Sequence, residues 1–172
     1  MDIPADIERM AHHLLKLADK ADGMIVTAES CTGGQLSAVL TSAEGWSHCF
    51  DRGFVSYTET AKQELLGVPS DLIASNGVVS RSVAVAMAEG GLARSDALCA
   101  LAVTGFAGPA EDGDEPGLVH VACAIRDHGV GHRELHFGET DRDQIRWDSI
   151  RALLDLARNQ LVASGIVASE TN

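Results

Sequence analysis

A serine and a cysteine stand side by side at the end of a short apolar segment, in a turn that two glycines follow. The segment covers residues 26–34 and reads VTAESCTGG, with Ser30 and Cys31 at its centre. This pattern predicts a buried strand that runs into a helix beginning near Thr32. Such a turn places a hydroxyl or thiol beside free backbone N–H groups and the positive end of a helix dipole. The turn could therefore carry covalent chemistry on an anionic or polarised substrate.

Two simpler interpretations of this turn stay open on local grounds. Ser30 could be only an N-cap residue, and glycine-rich turns between strand and helix can bind phosphate without any nucleophile. The residues match neither the phosphate loop that ends in Gly-Lys-Ser/Thr nor the G-x-S-x-G nucleophile elbow. The turn alone therefore does not choose among a nucleophile, a cap and an anion site.

Lys62 is the candidate base for a serine nucleophile. It is the only lysine after the first predicted helix, in a chain that otherwise uses arginine there. Lysine, unlike arginine, can lose its proton. Tyr57 precedes it across a predicted strand-to-helix junction, which could aim both side chains at one pocket. A desolvated lysine has a lowered pKa and can accept a serine proton. The alternatives are a solvated helix lysine and a tyrosine of the core or sheet edge.

A second glycine-containing loop follows the most apolar predicted strand, at residues 97–104. It begins at Thr104, contains Gly105 and Gly108, and continues into an acidic stretch up to residue 117. Ligands of open α/β sheets gather beyond the carboxyl ends of the strands. Backbone N–H groups of this loop could form an oxyanion hole or a phosphate nest. The alternative is an ordinary Gly-Pro turn.

The histidines and cysteines do not predict a metal site. His132 and His136 fall on one face of a predicted strand but lie about 13 Å apart at ~3.3 Å per residue, which is too far for one ion. The four cysteines, at positions 31, 49, 99 and 123, form no C-x-x-C pair. We therefore expect no metal, no cofactor and no disulfide framework, and a reducing compartment.

Composition restricts the class of protein. The chain has 172 residues, 45% of them hydrophobic and 22% charged, which is typical of one soluble domain. The net charge of −12 repels phosphate backbones and disfavours nucleic acid as a partner. No apolar run is long enough to span a bilayer, and the first residues lack the layout of a signal peptide. We therefore expect a cytoplasmic protein without a membrane partner.

Hydrophobic periodicity predicts alternating helices and strands. Helices are expected over 5–21, 32–42, 59–66, 80–93 and 142–163, with a short helical turn at Pro69. Strands are expected over 24–28, 50–57, 97–104, 118–126 and 132–137. This order predicts a single α/β domain over residues 1–165, a layered sandwich with a mixed sheet flanked by helices. Residues 166–172 are expected to form a frayed tail.

Four segments, taken together and in order, resemble the CinA C-terminal domain family (competence/damage-inducible proteins). They are TAESCTGG at 27–34, RGFVSY at 52–57 with AK at 61–62, NGVVS at 76–80, and TGFAGP at 104–109. The resemblance runs from about residue 5 to 163. Its motifs identify the family only when they are taken together. Characterised members of the family are nicotinamide mononucleotide amidohydrolases. The resemblance therefore implies an α/β fold and hydrolysis of the carboxamide of nicotinamide mononucleotide, which gives nicotinic acid mononucleotide and ammonia.

The resemblance also implies residue roles. Ser30 is the expected nucleophile, Lys62 its base, and Tyr57 a residue that orients or relays the proton. Backbone N–H groups of Cys31, Thr32, Gly33 and Gly34, or those of residues 105–108, are expected to stabilise the oxyanion. The substrate's 5′-phosphate could bind at the turn of residues 32–34 or at Thr104 and Gly105, with Arg142 as a helper.

The chain departs from the family pattern at two places. The family usually has Lys-Pro-Val-Gly where this chain has EPGL at 115–118, and Phe-x-Gly-Asp-Arg where it has FGETDR at 137–142. The first change makes the loop acidic, and the second puts the role of Arg142 in doubt. Three rival hypotheses therefore remain: Cys31 as the nucleophile, a pyridine-nucleotide sensor without catalysis, and an amidase for another small amide. The apolar helices favour a homodimer.

Overall fold

The computed structural model describes residues 2–108 and 113–167, and its centre is a five-stranded sheet in the order β2-β1-β3-β4-β5. The first three strands are parallel, whereas β4 is antiparallel to β3 and β5 is antiparallel to β4. The predicted mixed sheet is confirmed. The strands are β1 (Ile25–Glu29), β2 (Phe50–Val55), β3 (Cys99–Gly105), β4 (Leu118–Ile125) and β5 (Gly129–His136).

Helices cover both faces of the sheet, which confirms the predicted α/β class. One face packs against α1, α2 and α6, and the other packs against α3, α4 and α5. A short 3₁₀ helix, Ser47–Cys49, precedes β2. The helices are α1 (Ala5–Lys20), α2 (Gln35–Thr41), α3 (Glu59–Leu66), α4 (Ser70–Asn76), α5 (Arg81–Ala93) and α6 (Arg142–Ala163).

Small residues let α5 and α3 approach closely on one side of the sheet. Where a Cβ atom would stand at Gly90, the carbonyl oxygen of Leu66 is only 2.1 Å away, so no side chain fits there. At Gly91 the same atom would lie 3.5 Å from the methyl group of Ala100 in β3. With aromatic residues at 4% of the chain, alanine and branched aliphatic side chains fill this layer. The close packing fixes α3, which carries Lys62, against the sheet.

Two element boundaries differ from the predictions for conformational reasons. The second helix begins at Gln35 rather than near Thr32, because Gly33 and Gly34 have φ values of 61° and 95°, which are incompatible with a right-handed helix. The last strand begins at Gly129, earlier than expected. The tight turn before it uses Asp127 at φ 63°, so fewer residues form the loop.

The carboxyl-terminal end is packed further than predicted. The frayed tail was expected from residue 166, but Ile166 contacts the apolar core and Val167 is 5% exposed. The rest of that predicted tail, 168–172, and residues 109–112 of the acidic loop lie outside the described residues. Within the described ranges, none of the helices combines the length and apolarity needed to cross a bilayer.

Candidate active site

Ser30 and Lys62 meet in the interior. Ser30 directly follows β1 and is held to β3 by a hydrogen bond from its N–H to the Val103 carbonyl, at 3.1 Å. Lys62 lies on α3, and its Nζ is 2.9 Å from Ser30 Oγ. Ser30 is 7% exposed and Lys62 is fully buried. The two groups that the sequence proposes as nucleophile and base are therefore in direct contact and largely buried.

The surroundings of the Lys62 amine shift its protonation equilibrium towards the neutral form. Burial lowers the pKa of Lys62 to about 8, against attraction to Glu59, which raises it. Nζ also lies 2.8 Å from the Ser56 carbonyl and 3.4 Å from the Tyr57 carbonyl. A neutral amine can donate its two N–H bonds to these carbonyls and direct its lone pair at the Ser30 hydroxyl. That arrangement is the one a general base requires.

The local fold of β2 and α3 explains how Lys62 reaches Ser30. The N–H of Ser56 donates to the Glu29 carbonyl at 2.8 Å, which extends the pairing of β1 and β2 beyond β2. The chain then reverses into α3, and the Thr58 hydroxyl caps this helix by accepting a hydrogen bond from the Ala61 N–H at 3.1 Å. The first turn of α3 thus lies over the carboxyl end of β1.

Glu29, which the sequence reasoning missed, occupies the amino terminus of α2. Its buried carboxylate accepts hydrogen bonds from five donors. They are the N–H groups of Gly34, Leu36 and Ser37 and the hydroxyls of Thr32 and Ser37. A carboxylate is favoured at a helix amino terminus, so an acidic residue just before a glycine turn was the available signal. Because the chain's own carboxylate takes these donors, they are not available to a substrate phosphate.

Arg146 on α6 is a second residue that the sequence reasoning missed. Its Nε donates to the Cys31 carbonyl and its Nη2 to the Thr32 carbonyl, both at 3.0 Å. A Cβ atom at Gly33 would lie 2.7 Å from this guanidinium, so glycine makes room for it. Arg146 therefore fixes the turn that presents Ser30. No sequence pattern links two residues that stand more than a hundred positions apart.

A cavity of about 270 Å³ opens in front of Ser30. It brings together most of the predicted site residues, and it adds Val78 and Val79, which belong to the NGVVS segment but were given no role. The Thr104 hydroxyl donates to the Val78 carbonyl at 3.0 Å and holds that segment at the cavity. The cavity is lined by Ser30, Cys31, Tyr57, Val78, Val79, Thr104, Gly105, Phe106, Ala107, Gly108 and Arg142.

Three predicted binding residues lie outside this cavity. Thr32 is buried, with its hydroxyl bonded to Glu29 at 2.8 Å. Thr32, Gly33 and Gly34 line a different cavity, together with Arg146. The N–H of Gly33 donates to the Ser30 carbonyl at 3.0 Å. The structure therefore separates the turn of residues 32–34 from the space in front of Ser30.

Cys31 lines the cavity, but its thiol is not in the reactive form. Its side chain is buried within the apolar core, and this burial raises the pKa of Cys31 to about 12. A thiol with that pKa stays protonated near neutral pH, although the thiolate is the nucleophilic form. Ser30, with its neighbouring amine, is the better nucleophile in this geometry.

Tyr57 lies at the rim of the cavity. Its side chain is 59% exposed, and its hydroxyl accepts a hydrogen bond from Arg142 Nη2 at 3.3 Å. In the described part of the chain, no hydrogen bond joins this hydroxyl to Ser30 or Lys62. Only the backbone carbonyl of Tyr57 contacts the lysine amine. The geometry thus gives Tyr57 a place beside the cavity mouth, and it lends no support to the predicted proton relay.

Backbone donors remain for a developing oxyanion. In residues 2–108 and 113–167, the N–H groups of Cys31 and Thr32 have no hydrogen-bond acceptor, and neither do those of Ala107 and Gly108. Cys31 directly follows Ser30 and lines the cavity, as Ala107 and Gly108 do, whereas Thr32 lies outside it. Unpaired backbone N–H groups beside a serine hydroxyl are the kind of donor from which an oxyanion hole can be built.

A second cavity of about 480 Å³ adjoins the first and shares Ala107, Gly108 and Arg142 with it. A Cβ atom at Gly108 would lie 2.9 Å from Arg142 Nη1, so the guanidinium passes directly over this backbone. Arg142 therefore stands between the two cavities, which together offer room for a substrate with a reactive end and a charged end.

Comparison with known proteins agrees with this architecture. The CinA C-terminal domain model matches residues 7–161. A CinA-like protein of Synechococcus sp. (strain RCC307) is 41% identical over 160 residues, which are 91% of this chain and 38% of that protein. A CinA-like protein of Mycobacterium sp. (strain JLS) is 44% identical over 139 residues, 80% of this chain and 33% of that one. The chain thus spans between a third and two fifths of these relatives.

Solved structures match over nearly their full length. The competence/damage inducible protein CihA from Agrobacterium tumefaciens is 40% identical with a TM-score of 0.89, and the match covers 93% of this chain and 98% of that one. A competence-damaged protein (CinA) superfamily protein from Escherichia coli is 32% identical with a TM-score of 0.82, covering 94% of both chains. The chain belongs to the CinA C-terminal domain family.

Proposed function

We propose that the chain is an amidohydrolase that converts nicotinamide mononucleotide to nicotinic acid mononucleotide and ammonia. The observation that carries this proposal is the 2.9 Å contact between Lys62 Nζ and Ser30 Oγ, beside a cavity lined by five of the eight predicted binding residues. Membership of the CinA family is consistent with an enzyme. The resemblance of the site residues to those of the family's amidohydrolases indicates the substrate that we propose.

In the first half of the reaction, neutral Lys62 accepts the proton of Ser30. Ser30 Oγ attacks the carboxamide carbon, and the resulting oxyanion receives hydrogen bonds from backbone N–H groups such as that of Cys31. The protonated amine of Lys62 then gives its proton to the amide nitrogen. The C–N bond breaks, ammonia leaves, and an ester to Ser30 remains.

Water completes the reaction. Neutral Lys62 accepts a proton from a water molecule, which attacks the ester carbonyl. As the tetrahedral intermediate collapses, the proton returns to Ser30 Oγ, and the carboxylic acid product leaves. The same amine therefore serves as base and then acid in both halves, as microscopic reversibility requires. The carbonyls of Ser56 and Tyr57 hold the amine in place throughout.

The substrate's phosphate is proposed to lie beside Arg142. Glu29 takes the N–H groups of Gly34, Leu36 and Ser37 at the start of α2, whereas Arg142 lines both cavities. A guanidinium suits phosphate oxygens. The pyridine ring would then lie near Ser30, next to the exposed ring of Tyr57.

Replacing Arg142 with glutamine is expected to raise KM for nicotinamide mononucleotide by about 10- to 100-fold, since a charge-assisted hydrogen bond contributes about 1.5–3 kcal/mol. The riboside, which has no phosphate, should be affected far less. Initial rates of ammonia release with both substrates measure this. Arg158→Gln is the matched control, because Arg158 lies exposed on the same helix and donates hydrogen bonds to its neighbours Asp155 and Asn159. An equal rise in KM for both substrates would show that the phosphate does not bind beside Arg142.

The pH dependence of kcat/KM should follow Lys62. The base is active when neutral, and burial lowers the pKa of Lys62 to about 8. The rate constant is expected to rise about tenfold per pH unit below this value and to level off above it. The profile should be measured above pH 7, because the substrate's phosphate monoester titrates near pH ~6 and its titration would change the profile at lower pH. A profile that is flat from pH 7 to 9.5 would contradict a lysine base.

A substrate panel separates this proposal from its rivals. Nicotinamide mononucleotide, nicotinamide riboside, nicotinamide and the dinucleotide are incubated with the purified chain, and the acid products are separated by chromatography. The proposal predicts preference for the mononucleotide. Equal rates on all amides would indicate a general amidase, and binding without any acid product would indicate a sensor. The homodimer, the cytoplasmic location and the lack of a nucleic-acid partner stay predictions.

A further inference from the structure

We propose that Asp19, His48 and Cys49 form a binding site for a transition-metal ion of the Zn²⁺ class, at the end of the sheet opposite Ser30. Each residue offers one ligand atom, and the carboxylate oxygen, imidazole nitrogen and thiol sulfur all lie within 4.8 Å of one another. In the part of the chain that the structure describes, no other group of three such side chains comes this close. The site is independent of the proposed amidase activity.

Two separate elements bring the ligands together. Asp19 lies in the last turn of α1, and the sequence-adjacent pair His48 and Cys49 belongs to the 3₁₀ helix before β2. His48 Nε2 is 2.8 Å from Asp19 Oδ1, and the imidazole stacks on Trp46 with ring centroids 6.2 Å apart. The ring is thus already directed at the carboxylate. Only tertiary packing creates this set, which explains why cysteine spacing did not predict it.

The burial of the three side chains suits an open tetrahedral site. Cys49 is fully buried and would bind the ion from the protein interior. The side chains of His48 and Asp19 are 61% and 47% exposed and would bind it from the solvent side. Ligand atoms around tetrahedral zinc lie about 3.3–3.8 Å apart. The exposed imidazole and carboxylate need to move by only about an ångström to reach that spacing, and water can occupy the fourth position.

The kinds of ligand select the metal. A thiolate and an imidazole favour Zn²⁺ and Co²⁺, whereas Mg²⁺ and Ca²⁺ require oxygen ligands. On binding, the Cys49 thiol loses its proton to solvent, His48 coordinates through Nε2 with its proton on Nδ1, and Asp19 exchanges its hydrogen bond for a metal bond. The chain's net charge of −12 adds a general attraction for cations.

The position of the site indicates a structural effect. Cys49 precedes the first residue of β2, and Ser30 follows the last residue of the parallel strand β1, so the two sites lie at opposite ends of the sheet. A bound ion would join the end of α1 to the start of β2. We therefore expect Zn²⁺ to raise the melting temperature without changing turnover, because a ligand that binds only the folded state stabilises it.

Titration with Co²⁺ tests this inference on the purified chain, free of any polyhistidine tag. A thiolate-to-cobalt charge-transfer band should appear and saturate at one ion per chain, and Zn²⁺ but not Mg²⁺ or Ca²⁺ should abolish it. His48→Ala and Cys49→Ser should each weaken Co²⁺ binding by at least about tenfold. His128→Ala, which removes an exposed histidine from the β4–β5 turn, should bind as the unaltered chain does.

Two results would overturn the inference. One is the absence of the charge-transfer band at millimolar Co²⁺, and the other is a band that Cys49→Ser leaves unchanged. His48→Ala changes only an exposed side chain, so it reports on the metal even if the buried Cys49→Ser variant folds poorly. Ammonia release in the same samples, with and without a chelator, keeps this outcome separate from the amidase proposal.

Discussion

Replacing Lys62 with methionine is expected to lower kcat for nicotinamide mononucleotide by about 10³-fold, within the range that loss of a general base produces. Methionine has a similar length but no amine, so Ser30 Oγ loses the group 2.9 Å away that takes its proton. Substrate contacts are not altered, and KM should change little. Initial rates of ammonia release at saturating substrate, above pH 8, measure the effect.

Lys62→Arg distinguishes a base from a fixed charge. Arginine keeps the positive charge but does not lose its proton in proteins, so this variant should be about as inactive as Lys62→Met. Thermal melting of each variant checks folding. Methionine leaves the carbonyls of Ser56 and Tyr57 without their lysine donor, at a cost of about 1–3 kcal/mol. A folded Lys62→Met variant with more than a tenth of the original kcat would refute the role of the lysine as base.

Ser30→Ala should remove turnover almost completely, by about 10⁴-fold or more, whereas Cys31→Ala should keep kcat within about threefold. The contrast follows from the surroundings of the two neighbours. Ser30 contacts the amine, and burial raises the pKa of Cys31 to about 12. Both variants are assayed side by side with the same substrate, and circular dichroism checks that each is folded.

The double variant Ser30→Ala with Lys62→Met should be no slower than Ser30→Ala alone, because residues that act as a unit show strongly non-additive losses. An inactive but folded Cys31→Ala variant would instead identify the thiol as nucleophile. If the fold-losses in kcat of the two single variants multiply in the double variant, Ser30 and Lys62 act independently.

Local sequence patterns predicted most of the elements and singled out Ser30 and Lys62 as candidates, and the family resemblance then indicated that they act as a pair. The apolar segment before Ser30, the glycines after it and the N-cap Thr58 before α3 each follow from short-range rules. Lys62 stood out through lysine usage alone. Its contact with Ser30 depends on the parallel pairing of β1 and β2, which the alternation of helices and strands already implies.

What the sequence did not predict depends on side chains that meet through tertiary packing. Glu29 takes the N–H groups of Gly34, Leu36 and Ser37 at the start of α2, next to the turn that was one of the two predicted places for the substrate's phosphate. Arg146 reaches the Cys31 and Thr32 carbonyls from the last helix. Periodicity reports which face of a helix is buried, but it does not report which distant polar group a side chain will contact. For the same reason, the place of Tyr57 at the rim could not be predicted.

The most direct measurement is the amount of ammonia and nicotinic acid mononucleotide formed from nicotinamide mononucleotide by the purified chain and by its Lys62→Met variant at pH 8–9. If neutral Lys62 activates Ser30, the unaltered chain will form both products in equal amounts over many turnovers, and the variant will remain near background. No product from the unaltered chain, or equal rates for the two proteins, would contradict a serine–lysine amidase.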